Sequence, residues 1–597
     1  MVQIITMKLL ENKILVNINL QQKGAVMYKI MVCSITLVFS CMISFAFADT
    51  YYVSNIDGDD QNSGKSPATP WKSLQKVSSS AFSPGDKILL KKNQVWSESL
   101  IVSSSGSDGK PITYGSYGEG NNPLIKLTTT FKDWTLETSS GSKKIWKGRI
   151  PNNKNAHSAA WNGARLPAYL GYAASDVWWE APKSLVDMKN NYYYSPLNSD
   201  VFYFRNDSGN PGAMEIAHRD VGIKVDGKQY VIIDGIDVFG PGGLQIDVTN
   251  CKYVTVKNLT ASNSAYRGCM IKGNSEYCVF ENMKAFHHRS TGIYLNHAGA
   301  NNVIKNCESY ANGNLPTDMG DQGCFGIESS PNNTIQDCYA HDNGHPGVEH
   351  IDAAISVYES PGCSVKRCLI KNSADKALMF AGDTRDCVAA YNVIDGWGVY
   401  GDSITAWPSV DGLRLGGGES SARIFNTKII NNLFINGGKT IKAGYAALRI
   451  QYRENAGTIV ANNIFYNNSG NLEVNAQSKD GFSNWKFSNN VYYRGSGATI
   501  SWAGKSYDFN RIVGKSPGYF TYDQGQGEGS IMGDPKLVSN KMDLLSDSPC
   551  IDAGIDVGES LDFHGRPVPV GRGVDIGPFE YQGGTYIQPP QGLKIED

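Results

Sequence analysis

Six of the nine histidines in this 597-residue chain, His287, His288, His297, His341, His345 and His350, fall between positions 287 and 350. Carboxylates crowd the same stretch, with Asp321 and Glu328 in DMGDQGCFGIESS and Asp352 in VEHIDAAISVYES, and Asp375 and Lys376 follow. Imidazole, whose unperturbed pKa is about 6.5, moves protons near neutral pH. Paired carboxyl groups supply acid, base or nucleophile, and clustered oxygens hold a hard cation. Farther on, Arg414 in DGLRLGGG and Arg449 in ALRI each stand between apolar neighbours, and a guanidinium so placed recognises an anion. His341 and His345 would suit zinc on a helix, with Glu349 and His350 as further ligands. The segment HDNGHPG, however, is turn-like, and zinc is set aside. The chain has no P-loop, dinucleotide fingerprint or serine nucleophile elbow, so no nucleotide cofactor is expected.

Positioning these groups falls to a loose repeat running from about Tyr230 to Phe509. Short β-branched and aromatic runs alternate with Asn, Asp or Gly turns. Asn258, Asn282 and Asn306 recur every 24 residues, and Asp337, Asn392, Asn432, Asn463 and Asn490 continue the series as insertions lengthen some repeats. A unit this small cannot bury its apolar face alone, so successive units must stack, and the fold class is an all-β, parallel β-solenoid. In the strand after each Gly turn, alternation points Met270, Tyr294, Glu328, Ser356, Met379, Arg414 and Arg449 outward. Loops just ahead of these strands add Asp321, His350, Asp352, Asp375, Lys376 and Asp411. The longer repeats then build the walls of a cleft.

Composition is consistent with this. Hydrophobic residues make up 41% and charged residues 19%, which suits a large core. The net charge of -2 supplies no field for nucleic acid. MYKIMVCSITLVFSCMISFAFA, residues 27–48, has the layout of a secretory signal, so a mature chain starting near Asp49 and an extracellular or periplasmic location are expected. No later segment reaches the length of a membrane span. Residues 1–48 thus form a leader, 49–125 an N-terminal cap and first coil, and 126–225 an inserted β-rich subdomain dense in Trp and Tyr. Residues 226–509 form the main solenoid with its cleft, and 510–597 a tail that covers the open end. Of twelve cysteines, ten remain beyond the leader. Cys307, Cys338 and Cys368 share one repeat position and Cys278, Cys363 and Cys387 another, which reads as small buried side chains stacked on inward sites.

TYYVSNIDGDDQNSGKSPATPWKSLQKV, SPGDKILLKKNQVW and KPITYGSYGEG, with SPCIDAGIDVGESLDFHGRPVPVGRGVDIGPFEY near the C-terminus, resemble the openings and tail of the secreted right-handed parallel β-helix proteins that act on polysaccharides. DGLRLGGG resembles the segment of pectate lyase family 9 in which an outward Lys acts as base. Arg414 takes that position here. The family's calcium strand resembles DDGFD, whereas this rung reads Ala374-Asp375-Lys376-Ala377-Leu378-Met379, and only Asp375 matches. The resemblance implies a lyase that cleaves a uronate-containing polysaccharide by β-elimination, with Arg414 or Lys376 as base and His350 assisting proton transfer. Tyr294, His288, Arg289 and Arg449 would bind substrate, and Asp321, Asp352 and Asp375, with Glu328, would supply oxygen ligands for Ca²⁺. Two other readings stay open. Outward residues on adjacent rungs lie about 4.8 Å apart at the backbone, so Glu328, Asp352 and Asp375 could pair as glycoside hydrolase carboxyls, which stand about 5.5 Å apart for retention and about 6.5 to 9.5 Å for inversion. The third reading is a non-catalytic carbohydrate-binding protein. A monomer whose only partner is a polysaccharide is expected.

Overall fold

The chain divides into two compact units, Met1–Ala48 and Asp49–Asp597. The computed structural model describes residues 48–150, 159–162, 164–170, 182–196, 199–217, 221–240, 242–313, 315, 323–344, 353–399, 410–416, 423–437, 446–452, 454–466, 468, 472–478, 482–494 and 498–583. The leader up to Phe47 therefore lies outside the described residues, as do Asp321, His345, His350 and Asp352.

Asp49 onward forms a parallel β-helix. One sheet of 24 strands and another of 13 run along its length, every coil adding a rung to each. What turns the chain at each corner is a single left-handed residue. Asn258, Asn282, Asn306 and Asp337 have φ of 57°, 52°, 53° and 56°, a conformation that Asn and Asp reach at lower cost than other residues bearing a Cβ. In later coils the bend falls one residue earlier than the sequence pattern suggested, at Tyr391, Asn431, Asn462 and Asn489. Asn392, Asn432, Asn463 and Asn490 are not the turn residues. They point inward as a buried ladder in which each side-chain amide donates to the next side-chain carbonyl, at 2.9, 3.0 and 3.0 Å. Each also donates to a backbone carbonyl of the coil before it, Val365, Ala389, Ile429 and Val460 in turn. Polar side chains are tolerated in the core because the ladder satisfies them.

The ten cysteines are buried free thiols. Cys307, Cys338 and Cys368 stack in register, since the residue after each of the last two donates its amide to the carbonyl of the Cys one coil back.

The first coil leaves the solenoid after Leu124–Lys126 and rejoins it at Val221–Asp226, which pairs with Leu100–Ile101. Between them lie a five-stranded and a four-stranded sheet, mostly antiparallel. Phe131, Trp134, Tyr193, Phe202, Phe204 and Met214 form their shared core, so this aromatic density goes into packing. At the far end Trp485, Phe487, Trp502, Tyr507 and Phe520 pack edge to face over the last coil. Phe520 belongs to the 510–597 segment, and farther along it the chain packs differently. Cys550, Phe563, Ile576 and Phe579 lie against the outward side chains Val393, Leu433, Ile464 and Val491, along the flank of the solenoid. Among the described residues, no helix is long and apolar enough to cross a membrane.

Candidate active site

The 13-stranded sheet places one residue per coil in an outward row. Its register runs Asp247, Met270, Tyr294, Gly326, Ser356, Met379, Arg414, Arg449 and Asn475. Glu328 is not in this row. Gly326 occupies the position, and Glu328 stands two residues on, level with Asn296 and Tyr358. Alternation fixed the face but not the register, because residues i and i+2 look alike by period. The two rows nonetheless meet: the Tyr294 hydroxyl and the Asn296 amide both donate to Glu328 Oε2, the latter at 2.9 Å.

Gly326 makes that contact possible. A Cβ there would come within 2.3 Å of the Tyr294 ring, so the tyrosine lies flat over the glycine. On its other side the Arg267 guanidinium sits 4.1 Å from the ring centroid, a cation–π arrangement. Met270, Leu244 and Tyr294 cluster outside the sheet, and Tyr294 retains only 5% exposure.

Charge is concentrated at the corner ahead of the strands Leu378–Ala381, Leu413–Leu415 and Ala446–Tyr452. Asp375 Oδ2 accepts the Lys376 ammonium at 2.6 Å, with side-chain exposures of 1% and 7%. One coil on, Asp411 is fully buried. Its Oδ2 lies 3.7 Å from Arg449 Nη1, and its Oδ1 accepts the Ala446 amide at 3.2 Å. Arg414, on the strand that follows Asp411, donates to Gln451 Oε1 at 3.2 Å. Arg414 and Arg449 face each other directly across neighbouring rungs. Two like charges so placed repel unless carboxylates or an anionic ligand offset them, and Asp411 supplies part of that compensation.

Two expected substrate-binding residues belong to the interior. His288 is wholly buried and its Nδ1 accepts the Ser264 amide at 3.3 Å. Burial, and then the charge of Arg165, pull its pKa down to about 3. It is a neutral core histidine packed against Gly268, where a Cβ would stand 2.6 Å from Nε2. Arg289, at 2% exposure, is likewise enclosed. Side-chain direction in these corner loops is set by the bend, which two-residue alternation does not describe. Nor do the described histidines of this stretch form one cluster. His287 and His297 occupy left-handed bends, and His341 stacks on Tyr310 at 4.8 Å on the other sheet.

Arg165 and Arg267 went unsingled in the sequence. Arg165 comes from the inserted sheets and donates to the His288 carbonyl at 3.4 Å, a proximity that only the tertiary structure creates. Arg267 lies three residues ahead of the outward Met270, and that offset was its one available signal.

Of the three expected Ca²⁺ ligands, only Asp375 is described, and its carboxylate holds Lys376. Among the described residues no group of three or more His, Cys, Asp or Glu is arranged to hold a metal ion. A cation site at Asp375 would have to displace the ammonium, so no step is routed through one.

The family described as right handed beta helix region matches residues 203–352. The fold is that of a right-handed β-helix protein. Pectate lyase L of Paenibacillus polymyxa is 26% identical over 227 residues, 35% of this chain and 45% of that protein. Lacto-N-biosidase of Bifidobacterium longum subsp. longum is 41% identical over 82 residues, 13% of this chain and 5% of that protein. The chain thus spans less than half the length of either. The solved structure of XylC in complex with xylose superposes with a TM-score of 0.50 at 15% identity, covering 82% of this β-helix protein and 87% of XylC. That likeness is one of fold.

Proposed function

We propose that the protein is a secreted enzyme that cleaves a uronate-containing polysaccharide by β-elimination on the outward face of the 13-stranded sheet. The observation that carries this reading is the in-register pair Arg414 and Arg449, both partly exposed, beside two carboxylates, Asp375 and Asp411, that are sealed from solvent. A uronate carboxylate placed over the pair is neutralised by the Arg449 guanidinium, which acidifies the proton at C5. Arg449, held by Asp411, stays a cation. Arg414, which donates to the neutral amide of Gln451, takes the C5 proton as the C4–O bond breaks and the C4–C5 double bond forms. Arginine holds its proton far above neutral pH, so this role requires the neighbouring Arg449 charge to favour the neutral base. Lys376 is a weaker choice of base because its ammonium is engaged by the buried Asp375 carboxylate. His350 is the group proposed to hand a proton to the leaving oxygen. Tyr294 and Glu328, four and three rungs before Arg414, bind sugar hydroxyls.

Hydrolysis would need two accessible carboxyl groups. Among the described residues of this face, Glu328 is the partly exposed carboxylate beside the outward row, and its partner would be Asp352. The test is incubation of the purified chain with pectate, alginate and neutral glycans, with and without Ca²⁺ or a chelator, following the ultraviolet absorbance of unsaturated uronate together with reducing ends. Absorbance that is lost in Arg414→Ala supports elimination. Reducing ends without absorbance, lost in Glu328→Gln, would replace it with hydrolysis. No turnover with retained glycan binding would leave a binding protein.

A further inference from the structure

Tyr230, Tyr253 and Tyr277 occupy one corner of three successive coils, away from the Arg414–Arg449 face. Their φ angles are 53°, 55° and 55°, a region that a bulky side chain rarely enters. The same corner in later coils carries Asn301, Asn332, Gly362, Asn426 and Gly457, all left-handed and all residue types suited to that bend. Tyrosine is therefore the unfavourable choice for the backbone, made three times in a row. The rings stack in parallel, with centroids 4.8 and 5.1 Å apart and planes 12° and 16° from parallel, and such contacts offset part of the strain. Packing of the interior does not account for them, since Tyr253 and Tyr277 are 42% and 44% exposed.

The residue before each ring is polar and solvent-facing: Gln229, Lys252 and Glu276. Lys252 Nζ and Glu276 Oε2 form an ion pair at 2.8 Å, so the strip carries hydrogen-bonding groups with little net charge. An aromatic row and a polar row run side by side along the helix axis, both repeating once per coil, about 4.8 Å. That repeat is close to the length of one sugar unit in an extended chain.

We propose that this corner is a second glycan-binding strip, distinct from the cleft, which holds an extended neutral polysaccharide parallel to the helix axis. Sugar C–H faces would lie along the tyrosine edges, phenolic hydroxyls and the Gln229, Lys252 and Glu276 side chains would bond sugar hydroxyls, and successive sugars would meet successive coils. The balanced Lys252–Glu276 pair favours a neutral chain over a uronate chain, so the strip would anchor the protein to a matrix polymer while the cleft works on another.

The test is co-sedimentation of the full chain with insoluble cellulose, insoluble xylan and calcium pectate gel, compared with Tyr253→Asn/Tyr277→Asn. Asparagine is the residue that later coils use at this bend, so the double variant keeps the fold and relieves strain. Thermal denaturation of the variant should show an unchanged or higher midpoint. The expected result is retention of the wild type on cellulose or xylan, with roughly tenfold weaker retention of the variant and unchanged turnover of any soluble substrate. Failure of the wild type to sediment with either neutral polymer would overturn the proposal, and so would equal retention of the variant. Retention on pectate alone would refute the neutral-glycan assignment. Because sedimentation needs no turnover, these outcomes stand apart from whether the cleft is a lyase.

Discussion

Arg414, Arg449, Asp411, Asp375 and Lys376 are divided among three successive coils, and their variants should differ in kind. Arg414→Ala should lower turnover by several orders of magnitude while leaving the unfolding midpoint nearly unchanged, because the side chain is partly exposed; steady-state kinetics beside calorimetry checks both. Lys376→Met should act oppositely. It removes the ammonium from the Asp375 carboxylate in a site of 1% exposure, and removing one partner of a buried pair costs about 3 to 5 kcal/mol. Denaturant unfolding of the two variants would expose an error, since equal stability loss in both would mean that Asp375 finds another partner. Arg414 and Arg449 could be picked out in the sequence because each stands between apolar neighbours in a repeated strand, and alternation then forces it outward. Asp411 could be listed only as a nearby loop residue. Its pairing with Arg449 depends on the coil-to-coil register, which spans 38 residues of sequence.

Within a coil, stability comes from rungs that repeat one solution, so a single defect propagates to both neighbours. Asn432 shows this most plainly. It donates to Ala389 O, Ile430 O and Asn463 Oδ1, and accepts from Asn392. Asn432→Leu should cost about 2 to 4 kcal/mol by leaving buried amides and carbonyls unsatisfied on both sides, and urea unfolding will report it. A null effect would mean that the ladder is dispensable. Gly326→Ala tests the cleft at the same scale. Its methyl group meets the Tyr294 ring, so the ring must lift away from Glu328, and the expected signature is a raised KM with a smaller change in kcat. The repeat period was legible from Asn258 to Asn306, yet the doubled asparagines of NNLF and NNIF defeated it. One Asn of each pair bends the chain and the other fills the ladder, and composition does not say which is which.

Across the whole molecule the pH dependence of stability has a definite sign. Burial, against hydrogen bonds that act the other way, raises Glu473 to about 7, Asp575 to about 6 and Glu580 to about 7. A group whose folded pKa is raised contributes stability that is complete below its unfolded value, near 4, and is lost as pH rises through 6 to 7. His341, raised by Asp342 and Glu308 against the effect of its burial, adds a loss of the same sign. Glu308 and Asp342, both lowered chiefly by His341, lose their contribution on the acid side instead. His288, lowered by its burial to about 3, and His287 and His564, lowered likewise, act oppositely and lose their contribution as pH falls below about 6.5. The loss from the buried carboxylates is therefore read between about pH 6.5 and 7.5, where the unfolding midpoint should fall by a few degrees, and a scan flat across that range would contradict the burial of Glu473 and Glu580. Burial also pushes the thiols of Cys278, Cys324, Cys363 and Cys550 up to about 12. A thiol reagent should consequently label the ten cysteines beyond residue 48 hardly at all in the native chain and all ten of them once it is unfolded. The sequence by itself determined the solenoid, because short runs that cannot bury themselves must stack. It also determined which strand faces solvent, because side chains alternate with a period of two. Only the tertiary structure decided that His288 and Arg289 turn inward, that Glu328 meets Tyr294 from the next row, that the tail lies along the flank, and that Asp411 holds Arg449. Each of these depends on which residue of one coil lies above which residue of the next, and that register is set by packing over the whole length of the helix.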